Sequence, residues 1–344
     1  MVVATPTPVA NEKIRATELP IIDLMGKRSE VSKLIVKACE NFGFFKLVNH
    51  GVAEDVIAKM EEQSHQFFAK PSSEKELAGP SNPYGYGCKS IGCNGDVGEV
   101  EYLILEANPL SISHSSQTIS NDPIKFSCAV SSYVEAVREV ACEILNLMAE
   151  GLGVPVPDSS VFSGLIRDVE SDSLLRLNHY PVPPLRDRDT SPAASFHHHP
   201  NSNNRIGFGE HTDPQILTIL RSNDVGGLQI SPEEGVWVPV NPHPGAFFVN
   251  VGDVLQAMTN GKFVSVKHRA MVNRYESRMS MAYFGSPPLH ARIGPIPEME
   301  TPQNPRLYRS FTWAEYKKAT YSRRLGDSRL NSFRFQPNDE YIEN

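Results

Sequence analysis

The chain has 344 residues, a formal net charge of −7 and a hydrophobic fraction of 40%. These values are typical of a globular protein with a sizeable core, and the negative charge argues against a nucleic-acid partner. We expect no membrane partner, because the sequence shows neither a spanning apolar run nor a secretory signal. Five cysteines without a paired spacing indicate free thiols in a reducing compartment, which predicts a cytoplasmic location.

The first third of the chain alternates helical and strand patterns. An edge strand is predicted at Glu18–Leu24, followed by a helix that Gly43 ends and by a strand at Phe44–Val48. The inner face of that helix is predicted to carry Val31, Leu34, Ile35 and Ala38. A second amphipathic helix is predicted at Glu54–Lys70, and the glycine-rich stretch Pro80–Asp96 is predicted to be a loop.

One long helix is predicted in the middle of the chain. Asp122 is its expected N-cap, Pro123 takes the first helical position and Gly151 is the expected stop. The distance between them corresponds to about eight turns. Its apolar face is predicted to comprise Phe126, Val130, Val134, Val137, Ala141, Ile144, Leu145 and Met148. We interpret it as a helix that supports the rest of the fold.

From Ser173 onward the pattern changes to short strands separated by turns. The predicted strands lie within 174–180, 215–222, 226–231, 236–240, 246–258, 262–272 and 278–286. A helix returns within Phe311–Leu325, where Thr312 and Glu315 are spaced as a capping box. This order predicts an α+β fold, with a double-stranded β-helix (jelly roll) core and supporting N-terminal helices.

The same pattern suggests a division of the chain into four parts. Residues 19–125 form an N-terminal region of helices and strands, and residues 126–170 form the long supporting helix and a linker. Residues 171–290 form the jelly-roll core, and residues 291–344 form a C-terminal helix and tail.

The stretch GFGEHTDPQILTIL (Gly207–Leu220) places two polar side chains in what otherwise resembles a buried strand. His211 and Asp213 are two residues apart, so on a strand they point to the same face. A His-x-Asp pair also arises by chance, so a metal site needs a third ligand. His268 supplies it, because its predicted strand places it on an apolar face where a neutral imidazole needs a partner.

Two histidines and one carboxylate form the facial triad that leaves open positions on non-haem Fe(II). A structural zinc site would instead offer four protein ligands, and none of the five cysteines is near these three residues in the sequence. A histidine in the core without a metal is the alternative interpretation of His268 taken alone. The three residues together favour a metal site.

Arg278 and Ser280 are again two residues apart on a predicted strand, and point the same way. An inward arginine is costly unless it pairs with an anion, and no acidic residue is spaced to serve Arg278. A bound carboxylate is therefore its predicted partner, with a distant Asp or Glu as the alternative. Tyr180 ends an earlier predicted strand and could donate its phenol to the same carboxylate.

The order of these motifs, N-x-Y-P, H-x-D, H and R-x-S, resembles the plant Fe(II)- and 2-oxoglutarate-dependent dioxygenases. The segment GFFKLVNHGV (Gly43–Val52) is similar to the opening region of the same superfamily, and the resemblance extends from Leu19 to Leu325. It implies that His211, Asp213 and His268 hold iron. It implies that Tyr180, Arg278 and Ser280 bind the far carboxylate of 2-oxoglutarate with help from Asn178, and that Arg278 is required for catalysis.

A narrower resemblance is carried by GEHTDPQ, LRSNDVGGL and YKKATYS. These stretches are similar to the gibberellin 2-oxidases that act on nineteen-carbon gibberellins. The implied function is 2β-hydroxylation, which inactivates the hormone, with Fe(II) and 2-oxoglutarate as cofactor and cosubstrate and ascorbate as an assay component. The implied partners are O2 and a small carboxylate hormone.

Several alternatives stay open from the sequence. The chain could oxidise a flavonoid or another gibberellin position, could bind metal or hormone without catalysis, or could be a zinc hydrolase. A homo-oligomer is also left open. We interpret the tract His197–His199 as solvated loop rather than a metal site. The cations of the last helix, including Lys317, are interpreted as a solvated face, with attraction of an anionic substrate as the alternative.

Overall fold

Two β-sheets form the centre of the molecule. The computed structural model describes residues 13–92, 94–155, 160–183 and 205–335. Its strands are β1 (Lys13–Ile14), β2 (Ile21–Asp23), β3 (Phe44–Val48), β4 (Gly85–Ile91), β5 (Asp96–Glu106), β6 (Leu174–Tyr180), β7 (Ile206–His211), β8 (Leu217–Ser222), β9 (Leu228–Glu233), β10 (Val236–Pro239), β11 (Phe247–Val251), β12 (Lys267–Met271), β13 (Arg278–Gly285), β14 (Arg292–Ile293) and β15 (Phe311–Thr312). Its helices are α1 (Arg28–Asn41), α2 (Glu54–Phe68), α3 (Ser72–Lys75), α4 (Pro109–Ile119), α5 (Pro123–Leu152), α6 (Ser163–Arg167), α7 (Asp253–Met258) and α8 (Trp313–Tyr321).

The larger sheet has the strand order β2-β3-β11-β8-β13-β6-β5-β4, and the smaller one has the order β1-β10-β9-β12-β7. β14 and β15 form a separate pair. Both large sheets contribute to one apolar cluster, which contains Leu220 and Phe248 from the larger sheet and Ile230 and Val238 from the smaller. The predicted α+β fold, a jelly-roll core with supporting N-terminal helices, is confirmed.

The side chains of the larger sheet alternate between two environments, as the period of a strand requires. Leu177 of β6, Ile219 of β8 and Met281 of β13 belong to the main core, which they share with residues of α1 and α5. Their neighbours in sequence, among them Asn178 and Ser280, line a cavity on the other face. The helices therefore cover one face of this sheet and leave the other to form a site.

The long helix α5 begins as predicted. The Asp122 side chain accepts a hydrogen bond from the backbone N–H of Lys125 at 3.0 Å, and every residue of the predicted apolar face is buried. Gly151, however, lies inside the helix, and Gly153 (φ 81°) is the C-cap. A Cβ atom on Gly151 would lie 2.6 Å from Cγ2 of Val36 in α1, so this glycine permits close helix packing and does not end the helix.

Four further predictions are corrected by the structure. Part of the predicted loop Pro80–Asp96 is the strand β4, because its Gly87 allows the Tyr102 ring of the paired β5 to lie across it. The predicted strand 246–258 ends at Val251, and Asp253 begins α7. The predicted strand 262–272 forms only from Lys267 to Met271. Leu34 is exposed on α1 and is not part of its inner face, while α4 has no counterpart among the predicted elements.

The other predicted elements are confirmed. The strand within Glu18–Leu24 is β2, which pairs with β3 at the edge of the larger sheet, and Glu54–Lys70 contains α2. The capping box of Thr312 and Glu315 is present at α8, with both reciprocal hydrogen bonds. In the described residues no helix is long and apolar enough to cross a membrane. The four described cysteines are unpaired; they are Cys39, Cys88, Cys128 and Cys142.

Candidate active site

All seven residues singled out by the sequence motifs line one cavity between the two sheets. They are Asn178, Tyr180, His211, Asp213, His268, Arg278 and Ser280. The cavity is bounded by β6, β8 and β13 of the larger sheet, by β7 and β12 of the smaller, and by residues of α8. Asn178 and Ser280, which are 102 positions apart in sequence, thus meet at one site.

The two histidines face each other across paired strands. His268 of β12 stands opposite His211 of β7 in the antiparallel register, and their ring centroids are 4.2 Å apart. Nδ1 of His211 lies 2.9 Å from the carbonyl oxygen of Gly209, and Nδ1 of His268 lies 3.2 Å from that of Val266. If each Nδ1 carries the proton and donates it to its carbonyl, both Nε2 atoms keep a lone pair for a metal.

Asp213 is the third residue of the metal-binding group, but it lies in a turn and not on a strand as predicted. β7 ends at His211, so Asp213 lies beyond the strand and not on its face. Its Oδ1 is 3.6 Å from Nε2 of His211 and 3.5 Å from Nε2 of His268. The backbone N–H of Asp253 donates to the Asp213 carbonyl at 2.7 Å, which fixes this turn against the start of α7.

The second carboxylate oxygen of Asp213 is already occupied. Oδ2 accepts hydrogen bonds from Oγ1 of Thr218 at 2.6 Å and from Nδ2 of Asn250 at 3.2 Å. Both donors are buried, so they orient the carboxylate and leave Oδ1 aimed at the histidines. Neither donor was identified from the sequence, since the contacts join β8 and β11 to a turn that the sequence alone does not place beside them.

The chemistry of this donor set fits a divalent metal. Burial and the neighbouring His268 lower the pKa of His211 well below its ordinary value, so its imidazole stays neutral and able to ligate. Each of the three residues offers one ligand atom, and these atoms lie within 4.8 Å of one another. Two imidazoles and one carboxylate, with no thiolate in the group, match the open facial triad of non-haem iron and not a closed zinc site.

A cationic pocket lies on the neighbouring strands. Arg278 stands opposite Tyr180, and Ser280 stands opposite Asn178, in the antiparallel register of β13 and β6. Nη1 of Arg278 donates to Oγ of Ser280 at 3.2 Å, and its guanidinium lies 5.3 Å from the centroid of the Tyr180 ring. Nδ2 of Asn178 lies within 3.4 Å of the same serine oxygen. The four predicted residues therefore form one connected group.

Arg278 is buried, and burial lowers its pKa from the ordinary value. Arginine nevertheless keeps its charge in proteins. No carboxylate of the described residues forms an ion pair with it, and its polar contacts are with the Tyr180 phenol and the Ser280 hydroxyl. A ligand carboxylate would supply the missing anion, and a charge-assisted pair of this kind is strong in a buried site.

The cations of the last helix are not simply a solvated face. Nζ of Lys317 lies 2.7 Å from Oδ2 of Asp172, which also accepts a hydrogen bond from Nε1 of Trp313 at 2.7 Å. Lys317 lines the cavity rim and is thus already paired. The tract His197–His199 lies outside the described residues.

We predict that Thr218→Val weakens metal binding while leaving the fold intact. The substitution removes the hydroxyl that holds Oδ2 of Asp213, and loss of such an outer contact typically lowers metal affinity about 10- to 100-fold. Titration of the metal-free protein with Fe(II) or Co(II) measures the effect. Thr320→Val is the matched control, since Oγ1 of Thr320 donates a hydrogen bond to the Tyr316 carbonyl within α8 and not to a metal ligand. Equal metal affinities for Thr218→Val and the unmodified protein would contradict the proposed role of Thr218.

Comparison with known proteins agrees with this geometry. Residues 171–287 match the family model of the 2OG-Fe(II) oxygenase superfamily. Residues 19–101 match the model described as "non-haem dioxygenase in morphine synthesis N-terminal". Among solved structures, JOX2 in complex with 2OG, Fe and JA is similar with a TM-score of 0.78 at 28% identity, covering 97% of this chain and 95% of that one.

Two plant proteins are similar to this chain over nearly its whole length. Gibberellin 2-beta-dioxygenase 4 of Arabidopsis thaliana is 53% identical over 334 residues, covering 94% of this chain and 98% of that protein. Gibberellin 2-beta-dioxygenase 1 of Oryza sativa subsp. japonica is 48% identical and covers 92% of this chain and 87% of that protein. The resemblance stated from the sequence motifs is confirmed, and the chain belongs to the gibberellin 2-beta-dioxygenase family of 2OG-Fe(II) oxygenases.

Proposed function

We propose that this protein hydroxylates gibberellins at the 2β position and thereby inactivates the hormone. The reaction consumes one gibberellin, one O2 and one 2-oxoglutarate, and yields the 2β-hydroxy product, succinate and CO2. The observation that carries the proposal is one cavity that holds both a His-Asp-His group able to bind a metal and the buried Arg278, which forms no ion pair with the described residues. The relatives named above support the choice of gibberellin as substrate.

We assign Fe(II) to His211, Asp213 and His268, and the far carboxylate of 2-oxoglutarate to Arg278, Ser280 and Tyr180. When bound, the iron supplies the one-electron and O2 chemistry that oxidises an unactivated C–H bond. The remaining work belongs to the protein. Thr218 and Asn250 hold the Asp213 carboxylate in place, and the aromatic and aliphatic walls exclude water from the site.

The position of oxidation depends on how the cavity holds the substrate. Reaction occurs at the carbon held nearest the metal, so a rigid skeleton fixed at one end presents one carbon to it. A gibberellin is a carboxylate on a rigid apolar skeleton, and the cavity offers it the apolar walls of Ile104, Leu220 and Phe284. One cationic anchor would then be enough to set the regiochemistry.

The alternatives explain less of the site. A barrel that only stores metal or hormone has no use for Arg278 as a buried cation that forms no ion pair with the described residues. A zinc hydrolase gains nothing from the Arg278 and Ser280 pair. An oxidase of a flavonoid or of another gibberellin position would share the same metal and cosubstrate groups, so substrate assays must separate these possibilities.

We also propose a cytoplasmic location for the protein. The four unpaired cysteines of the described residues support it.

The proposal is tested by succinate release from purified protein with Fe(II), ascorbate and 2-oxoglutarate. We expect release above background with an active nineteen-carbon gibberellin and none with a flavonoid of similar size. Reactions without O2 or without 2-oxoglutarate are the controls. Turnover of the flavonoid with no response to any gibberellin would overturn the hormone assignment.

A further inference from the structure

Four arginines besides Arg278 line the same cavity, and Arg176 is the one that lies on β6 beside the cosubstrate residues. Arg176 precedes Asn178 by two residues and Tyr180 by four on β6, so all three side chains share the cavity face. In the sheet it stands opposite Ala282 of β13 and Ile104 of β5. Its neighbours across the sheet are therefore apolar.

The guanidinium of Arg176 is held in a fixed plane. Its central carbon lies 4.0 Å from the centroid of the Tyr102 ring and 4.6 Å from that of Phe208. Nε donates a hydrogen bond to Oδ1 of Asn178 at 2.8 Å. Two aromatic rings and one hydrogen bond thus fix the group before any ligand arrives, which lowers the entropic cost of binding.

The charge of Arg176 is not neutralised by an ion pair with any described residue, although the Asp213 carboxylate acts on it from a longer distance. Its Nη2 atom is buried without a hydrogen-bond partner. A buried cation left unpaired is destabilising by several kcal/mol unless an anion compensates it. A planar, forked donor in this situation suits a carboxylate.

That carboxylate is not supplied by 2-oxoglutarate. In the proposed function one end of this diacid is at the metal and the other is at Arg278. Arg278 stands opposite Tyr180, four residues along β6 from Arg176, a separation of about 13 Å along the strand. Both carboxylates of the cosubstrate are therefore in use, and the anion at Arg176 must come from a different molecule.

Arg176 is also close to the metal group. The ring centroid of Phe208 is 4.6 Å from the guanidinium carbon of Arg176 and 4.6 Å from the ring centroid of His211. Phe208 thus lies between the guanidinium of Arg176 and the metal-binding residue His211. A rigid substrate held there by its carboxylate would present a nearby carbon to the metal.

We propose that Arg176 is a second anion subsite, which binds the carboxylate of the substrate and so sets which carbon is oxidised. This inference rests on the proposed function, because it takes the substrate to be an apolar monocarboxylate. The hydrogen bonds from Arg176 to Asn178 and from Asn178 to Ser280 connect this subsite to the cosubstrate pocket.

The test compares a gibberellin with its carboxyl methyl ester by anaerobic calorimetry on protein loaded with Fe(II) and 2-oxoglutarate. The unmodified protein should bind the acid more tightly than the ester, by about 10- to 100-fold, as expected for a charge-assisted pair. Arg176→Met should weaken binding of the acid by the same factor and bring the ratio of the two affinities close to one. Arg176→Lys should give an intermediate ratio, because it keeps the charge but not the forked donor.

Lys317→Met is the matched comparison, since Lys317 is the cation of the cavity rim that already pairs with Asp172. It should keep the preference for the acid. The affinity for 2-oxoglutarate, measured in the same samples, should change far less than that for the acid in Arg176→Met. If Arg176→Met kept the full preference, or if Lys317→Met abolished it instead, the inference would be wrong while the proposed function stood. If the unmodified protein bound neither gibberellin nor ester, both would fail.

Discussion

Replacing Asp213 with alanine should abolish turnover while leaving the fold in place. The variant removes one of three metal ligands and leaves the hydroxyl of Thr218 and the amide of Asn250 without their acceptor. The large cores on either side of the sheet do not involve this residue, so thermal unfolding should stay cooperative. Succinate release after anaerobic reconstitution with Fe(II) measures the loss, and metal titration should show weakened binding.

Asp224→Ala is the control for this variant, because Asp224 is exposed and outside the cavity. It should retain turnover. The same loss is expected for His211→Ala and for His268→Ala, since the site contains no spare ligand among the described residues. Full activity of any one of the three variants with Fe(II) would remove that residue from the metal group.

Arg278→Ala should raise the KM for 2-oxoglutarate far more than the KM for the hormone. A buried charge-assisted contact typically contributes about 1.5–3 kcal/mol, which corresponds to an increase of about 10- to 150-fold. Arg278→Lys should recover only part of the loss, because an ammonium group cannot form the bidentate pair. Steady-state kinetics with each substrate varied in turn separates the two constants.

Arg292→Ala serves as the comparison for Arg278→Ala, since Arg292 is exposed on β14 and does not line the cavity. It should change neither constant. If Arg278→Ala raised both Michaelis constants equally, the result would indicate a general disturbance of the barrel and would contradict a specific role in binding the cosubstrate.

Local patterns predicted much of the fold. The N-cap Asp122, the following proline and the apolar face of α5 are all local signals, and they were sufficient to place that helix. The errors arose where tertiary contacts override a local signal. Gly151 resembles a helix stop but permits contact with Val36 of α1, and Gly87 resembles a loop residue but makes room for Tyr102.

The site was predictable where its residues follow strand periodicity. Arg278 and Ser280 share a face two residues apart, and the register of β13 and β6 places them beside Tyr180 and Asn178. Asp213 lies in a turn, and its contacts with Thr218 and Asn250 depend on pairing between distant strands, which one sequence does not reveal. The four-part division of the chain stays a prediction.

Arg176 could have been found from the sequence, since it shares the period-two pattern of Asn178 and Tyr180. The pattern does not show that Arg176 has no ion-pair partner among the described residues. That absence depends on which residues of β5, β7 and β13 surround the guanidinium, and it emerges only once the strands are assembled. The functional meaning of this arginine is therefore a property of the fold and not of its local sequence.

The most direct test of the proposed function is the fate of deuterium at carbon 2 of the substrate. A nineteen-carbon gibberellin labelled at the 2β position should lose its deuterium on conversion, whereas one labelled at the 2α position should keep it. Mass spectrometry of the product, with NMR to locate the new hydroxyl, measures both outcomes. Retention of the 2β deuterium, with the new hydroxyl at carbon 3, would keep the chemistry of the site and contradict the assigned function.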